Sequence, residues 1–403
     1  RFSFRHVRDH VSVTKEFRFH EDSYAFELRV SVENQSQQVI EPRFALTWPA
    51  SLRSGNDFRQ QSLAALHAGS LAVEQLERFG KPGFLGRAPQ TEKRFESEVD
   101  WAGFQTTYFV GAMLPDNPSQ AGGRFVATQP GESGVAQVYF DPVALRPGQQ
   151  AERLFRGYVG PKEPDRLESV GGGLSRSIDL GWAWIVPLTR FFNWLLAALH
   201  SVVPNYGLAI IILTVLVRLV TAPLTNKQMR SMERMRAISP KLKELREKYG
   251  DDRQKQSEEM MRLYRQEGVN PLGGCFPMLL QLPVFIGLFY ALRSSIQLRQ
   301  APFVGWIDDL SAPDTLFEIP GIGIPFRVLP LVMGVTMLLQ QRITPAQGMD
   351  PSQQKMMMTM MPIVMTVVFY QFPSGLVLYW MVSNVLAIAH QLWIGRGLRS
   401  QQA

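Results

Sequence analysis

The feature that most constrains this chain is the run IILTVLVRLVTAPLT at residues 211–225, which carries one arginine, Arg218, and no acidic residue within ten positions either way. A stretch so apolar is membrane material, and a permanent charge inside it needs a partner or water. Charged residues and long apolar runs are segregated along the sequence, with the apolar runs crowded after Leu180. The overall 45% of hydrophobic residues therefore blends two unlike halves, an ordinary polar domain and a membrane domain.

The excess of 42 basic over 35 acidic residues could point to nucleic acid, but basic loops beside membrane spans give the same balance. The second source is preferred, and no direct DNA binding is expected. Cys275 is the only cysteine, so no internal disulfide forms, and its Gly-Gly-Cys-Phe-Pro setting offers no second metal ligand. No metal or cofactor is expected. The sequence opens at Arg1 without a signal-like apolar stretch, so the segment that directs the first domain across a membrane is expected to precede it.

Residues 1–165 alternate rather than run. In YAFELRVSVEN, Tyr24, Phe26, Leu28, Val30 and Val32 share one strand face, with Glu27, Arg29 and Ser31 opposite. TTYFVGAML and VAQVYF repeat the pattern between Pro, Gly and Asn turns, which predicts an all-β sandwich with a little helix near DFRQQSLAALHAG. No nucleophile–base spacing, phosphate loop or zinc pattern occurs there. A linker at 166–179 follows.

In 180–203, Trp184, Leu188, Phe191, Leu195 and Leu199 fall on one helical face and Arg190, Asn193, Ala197 and His200 on another, the pattern of an amphipathic helix lying at a membrane interface. Five further segments read as transmembrane helices: 204–225, 276–293, 327–342, 356–372 and 375–395. The loop 226–271 is dense in Lys and Arg, which predicts a cytoplasmic location. Counting onward puts 294–326 outside, 343–355 inside and the tail 396–403 inside, with the β domain outside. Were 180–203 a span, the β domain would fall in the cytoplasm.

Within 226–271, Met229, Met232, Met235, Ile238, Leu242, Leu245 and Tyr249 recur at helical spacing; Ser239-Pro240 is expected to interrupt the helix, and Gly250-Asp251 to stop it and cap a second one. The result is a helical hairpin, either simply solvated or a docking site for a ribosome or targeting receptor.

Arg218 lies roughly 10–13 Å inside the predicted cytoplasmic edge, at ~1.5 Å per residue. No Asp or Glu occurs in the five spans, so an internal salt bridge is excluded. Two readings remain: an arginine snorkelling onto backbone carbonyls, or one facing a water-filled cavity open to the cytoplasm and lined in part by Thr214. The second is preferred. Gln281, Thr336, Thr359, Thr366, Ser383 and Asn384 are polar span residues that either line such a cavity or bond between helices. KMMMTMMPIVM supplies flexible methionines suited to varied apolar sequences or to a plain core, and Pro277, Pro283 and Pro362 would loosen their helices.

NYGLAIIILTVLVRLVTAPLT, the block from EEMMRLYRQEGVNPLGGCFP to GWIDDLS, LPLVMGVTMLLQQ and FPSGLVLYWMVSN together resemble the YidC membrane-protein insertase family of Gram-negative bacteria, over about 180–397. The NPLGGCFP and FPSGLVLYW blocks make the likeness specific; the upstream domain is similar more loosely, by position. The resemblance implies a periplasmic β-sandwich, a polytopic α-helical core of five helices with a cytoplasmic hairpin, and a further transmembrane helix ahead of Arg1. It implies a hydrophilic groove open to cytoplasm and lipid whose lone arginine is Arg218, with substrate contacts at Thr214, Leu282, Phe285 and the aromatic after Tyr379. That aromatic is Trp380, where the family pattern leads one to expect a tyrosine. With Gln281, Ser383 and Asn384 these form the expected substrate-binding groove.

The function expected is therefore a membrane protein insertase and chaperone, not an enzyme, located in the bacterial inner membrane. Its expected partners are nascent inner-membrane proteins, the Sec translocon, the ribosome, the signal-recognition-particle receptor and membrane lipids. The alternative is a secondary transporter or anion channel using the intramembrane arginine, but the spans show no inverted repeat. An intramembrane enzyme is disfavoured because His390, the only span histidine, has no carboxylate partner.

Overall fold

The computed structural model describes residues 1–52, 61–82, 88–250, 252–268, 276–321, 323–343 and 351–402. They form two compact units, Arg1–Asp179 and Leu180–Ala403. Asp251, Cys275 and the link 344–350 lie outside the described residues, as do the side chains of Met232, Pro277, Met357 and 394–403.

The first unit is a sandwich of two antiparallel sheets. Its strands are β1 (Phe2–Arg8), β2 (Val11–Phe19), β3 (Ala25–Asn34), β4 (Ala45–Ser51), β5 (Ser62–His67), β6 (Ser70–Gln75), β7 (Glu92–Phe95), β8 (Val99–Gln105), β9 (Phe109–Pro115), β10 (Ala121–Gln129), β11 (Ser133–Phe140) and β12 (Gln150–Pro161). One sheet runs β1-β2-β3-β12-β9-β8-β5-β6 and the other β4-β11-β10-β7. The alternation read in β3 is realised: Phe26, Leu28, Val30 and Val32 are buried in the inter-sheet core with Phe125, Ala136 and Val138 of the facing sheet.

The large sheet is covered on its other face too. Leu167 and Val170 of α1 (Pro164–Val170), with Leu174, pack on Ala64, Leu66, Trp101, Val110 and Tyr158. That second layer overturns the helix expected near DFRQQSLAALHAG. Its segment Ser62–His67 is strand β5, between β8 and the edge strand β6, with Leu63 and Ala65 facing one core and Ala64 and Leu66 the other. A strand buried on both sides loses the polar alternation that would identify it. Residues 57–60 of the stretch lie outside the described residues.

At the end of β12, Lys162 is buried and donates to Gln105 Oε1 (3.0 Å) and Ser177 O (2.8 Å). Burial pushes its ammonium down to about 7, with Asp179 opposing the shift.

The second unit is helical: α2 (Val186–Val202), α3 (Tyr206–Lys248), α4 (Arg253–Gln266), α5 (Phe276–Ser294), α6 (Val328–Ile343), α7 (Pro351–Phe369) and α8 (Ser374–Gln402). α2 packs on α3 and α5 through Phe192 and Leu196, while Trp184, Phe191 and Trp194 point outward. The apolar face read from the sequence is therefore divided: Leu188, Leu195 and Leu199 flank the bundle core, and Trp184 and Phe191 leave it. A helix apolar on both sides suits a place between protein and lipid.

α3 continues for 43 residues through both Pro223 and Pro240, so the interruption expected at Ser239-Pro240 is absent. Tertiary packing overrides the local breaker: Ile238 and Leu242 on either side of it are buried against Met260, Leu263 and Tyr264 of α4. Asp252 caps α4 by accepting from Lys255 N at 3.1 Å, and Lys241 pairs with Glu267 across the hairpin.

The segment between α5 and α6 closes one end of the bundle. Leu298, Ile307 and Leu310 are buried in the helical core, and Ser374 Oγ and Asn205 Nδ2 donate to its Asp309 and Phe303 carbonyls. Asp314 Oδ2 accepts from Val328 N and Leu329 N, each at 2.9 Å, and so satisfies the exposed donors that begin α6. This is the loop end of the bundle; the α3–α4 hairpin leaves from the other.

Candidate functional site

Asn205 starts α3 by accepting from Leu208 N at 3.0 Å. Arg218 follows 13 residues later, about 20 Å along the helix and well inside its apolar portion, Tyr206–Lys227. It donates from Nε (3.1 Å) and Nη2 (2.6 Å) to one hydroxyl, Ser383 Oγ on α8. Ser383 also reaches the buried Tyr379 phenol one turn back, and Tyr379 reaches Gln281 on α5. Three helices thus bring together Arg218, Ser383, Tyr379 and Gln281. Every group around the guanidinium is neutral, and no ion pair to it occurs among the described residues.

Thr214 lies one turn from Arg218, fully buried, and gives its hydroxyl to Ile210 O of its own helix at 2.6 Å. Thr221 and Thr225 bond back in the same way. Asn384, also buried, donates to Thr336 Oγ1 of α6 at 3.4 Å, which joins a fourth helix to the cluster.

The remaining predicted residues sit apart from the polar cluster. Trp380 packs edge-on against Phe285 of α5 (4.7 Å between ring centres) and Phe369 of α7 (4.8 Å). Phe289 and Phe372 extend this aromatic wall. Leu282 is 52% exposed on the outside of α5. Where the family pattern raised the question of a missing hydroxyl at Trp380, Tyr379 supplies one beside Arg218.

The exposed surface of the helices is strongly apolar. Leu219 and Val220 on α3, and Met360, Ile363, Val364 and Val367 on α7, stand outward. Two helical stretches, Tyr206–Lys227 and Ser374–Trp393, are long and apolar enough to cross a membrane, and Val328–Ile343 and Met358–Phe369 are shorter apolar stretches.

Sequence reasoning missed Asp314, whose role depends on a chain reversal that brings residue 314 to the start of α6. It also passed over Asn226, Gln341 and Gln391, whose side-chain oxygens are buried with no donor among the described residues. Carboxamides near span ends carry no signal of their own.

A family model described as "60Kd inner membrane protein" matches residues 198–401, and one described as "YidC periplasmic domain" matches residues 2–195. A membrane protein insertase YidC from Aromatoleum aromaticum is 38% identical over 402 residues, covering 98% of this chain and 69% of that one. Its counterpart from Haemophilus influenzae is 37% identical over 398 residues, covering 98% and 70%. The solved structure "Active YidC insertase crystal structure with the first transmembrane domain resolved" aligns with a TM-score of 0.44 at 18% identity, over 96% of this chain and 74% of that one. With both halves matched and the identity sustained over nearly the whole length, the chain belongs to the YidC family of membrane protein insertases.

Proposed function

We propose that this chain inserts newly made proteins into the bacterial inner membrane, and that the Arg218 cluster is the polar station that receives the hydrophilic tail of the incoming protein. The observation that carries this reading is the neutral company of Arg218. A guanidinium held only by hydroxyls keeps its full positive charge available to an acidic side chain in transit.

Aperture and exit follow from the surrounding helices. The loop end would face the periplasm, and the hairpin end, rich in basic residues, the cytoplasm. A tail entering from the hairpin side meets Arg218, Ser383, Tyr379 and Gln281. The apolar segment attached to it slides along the outward residues of α5 and α7 into lipid. α6 has 16 residues and is about 24 Å long, short of the ~30 Å hydrocarbon core, so the bilayer thins beside it and the barrier to the tail falls.

No covalent bond changes in this account. The driving force is burial of the substrate's apolar helix in lipid, about 25 cal/mol per Å², aided by the membrane potential. Nascent inner-membrane proteins are the substrates. The α3–α4 hairpin, with its short apolar seam and charged exterior, suits a ribosome or the signal-recognition-particle receptor, and the bundle suits lateral contact with the Sec translocon. Thr214, Leu282, Phe285, Trp380 and Asn384 complete the proposed groove.

The test is insertion of a small single-span substrate into sealed proteoliposomes that contain the full-length protein, scored by protease protection of its tail. Protection above empty liposomes is the expected result. Solute flux without insertion would favour a transporter instead.

A further inference from the structure

A small β-hairpin just ahead of α6 takes no part in the Arg218 cluster. Its strands, β13 (Phe317–Glu318) and β14 (Pro325–Phe326), are antiparallel, with Phe317 opposite Phe326 and Glu318 opposite Pro325. Ile319 N donates to Ile324 O at 2.9 Å, which carries the same register one pair further. Cross-strand partners and alternate residues share a face, so Phe317, Ile319, Ile324 and Phe326 make one apolar face and Glu318 lies on the other. The rings of Phe317 and Phe326 stack with 5.1 Å between centres. Gly321 and Gly323 turn the tip with φ of 84° and 67°, and Ile322 between them lies outside the described residues.

The face is open. Phe317 is 50% and Ile324 48% exposed, and Leu316 stands outward beside them. Glu318 is the one charge in residues 316–326. The base, by contrast, is fixed. Arg327, buried at the foot of β14, donates to Tyr370 O and lies over the Tyr370 ring at 5.0 Å, while the Tyr370 hydroxyl donates to Pro325 O. Tyr370 directly follows α7 and Val328 begins α6, so the hairpin is held at the loop ends of these two helices.

Its surroundings select what covers the apolar face. α6 turns Leu331, Val332 and Val335 outward, and α7 turns Val364, Val367 and Val368 outward. In a member of an inner membrane protein family such outward apolar surface meets lipid, and the hairpin adds to it where both helices end. The loop end also carries the exposed Trp182 and Trp184, with Trp182 edge-on to Tyr290 in the last turns of α5. Exposed tryptophans at a helix end mark a membrane–water boundary. A protein partner is disfavoured, because four side chains supply only a fraction of the ~1,000 Å² that a stable interface buries, and their face has no charge to orient one. Depth is limited as well. The edges of a two-stranded hairpin keep polar backbone groups that need water, so it cannot enter the hydrocarbon centre; Pro320 and Pro325, which have no N–H, ease its approach to the boundary.

We infer that the β13–β14 hairpin is a lipid-surface anchor, whose face of Phe317, Ile319, Ile324 and Phe326 enters the boundary between headgroups and acyl chains. Tied through Arg327 and Tyr370 to α6 and α7, it sets the level of the bilayer surface at the loop end of both helices. This goes beyond the insertase reading and does not depend on it.

The experiment places one nitroxide label at a time in the full-length protein carrying Cys275→Ser, at Phe317→Cys, Ile324→Cys, Glu318→Cys or, as a reference in the β unit, Glu21→Cys. Each protein is reconstituted in liposomes of phosphatidylethanolamine and phosphatidylglycerol. Collisions of the label with oxygen, which concentrates in lipid, are compared with collisions with a water-soluble nickel chelate. Oxygen is expected to dominate at 317 and 324, and nickel at the Glu21 reference, with 318 between them. Nickel dominance at both 317 and 324 would place the hairpin in water and overturn the inference. Protection of both from either reagent would do the same, by showing that protein covers the face. Equal ratios at 317, 318 and 324 would remove the two-faced hairpin on which the inference stands. The labels are read without substrate, so a failure of the wild-type protein to insert substrates would overturn the insertase reading and leave this result unaffected.

Discussion

Arg218 on α3 and Ser383 on α8, 165 positions apart in the chain, are joined by two hydrogen bonds to a single hydroxyl, at 3.1 and 2.6 Å. One small neutral side chain therefore sets where the charge points. Tyr379, itself bonded to Gln281, meets that hydroxyl as well, so the guanidinium is aimed without being neutralised.

Ser383→Ala should lower the unfolding free energy by roughly 1.5–3 kcal/mol, the range for hydrogen bonds to charged groups. Ser383→Thr keeps the hydroxyl and should lose less. Thermal unfolding of the detergent-solubilised protein measures both, and a Ser383→Ala protein as stable as the wild type would contradict the bond's importance.

Asp314→Ala should destabilise the helical unit by about 1–3 kcal/mol, because Val328 N and Leu329 N lose their shared acceptor at the start of α6. Faster hydrogen exchange confined to the first turn of α6 and to residues 305–316 is the accompanying signature. Exchange unchanged there would remove Asp314 from its capping role.

Lys162 gives the β unit a pH dependence of definite sign. Its native ammonium is held down to about 7 against an ordinary lysine value of 10.5. Between those values the unfolded chain binds a proton that the native one does not, so stability rises with pH from about 7 to about 10 and the penalty is complete below 7. Lys162→Met should flatten that rise, at the expense of the bonds to Gln105 and Ser177. Urea unfolding of residues 1–179 at pH 6, 8 and 10 measures the slope, and an unchanged slope in the variant would rule Lys162 out as its source.

Much of this architecture was legible in the sequence because its elements have one clear periodicity each. β3 alternates, and the apolar runs beginning at Tyr206, Val328 and Ser374 became α3, α6 and α8. What misled was context that no local pattern carries. β5 looks helical because both its faces are buried, and Pro240 looks like a break because the packing of Ile238 and Leu242 on α4 cannot be seen from one strand of sequence. The site divided in the same way. Arg218 announced itself by isolation, and Ser383 and Gln281 were visible as polar residues in apolar runs. Their convergence, and the separation of Trp380 and Phe285 into an aromatic wall, depend on which faces α5 and α8 turn toward α3.

The most direct test of the account is the charge dependence of insertion at Arg218. Wild-type and Arg218→Ala proteins would be compared in sealed proteoliposomes with single-span substrates that differ only in whether the tail carries acidic or neutral residues. Loss of an interaction between the arginine and a carboxylate, at about 1.5–3 kcal/mol, should slow acidic tails by roughly 10-fold to 100-fold and neutral tails far less. Equal slowing of both tails would contradict an attractive role for Arg218 and reduce it to a part of the bundle's packing.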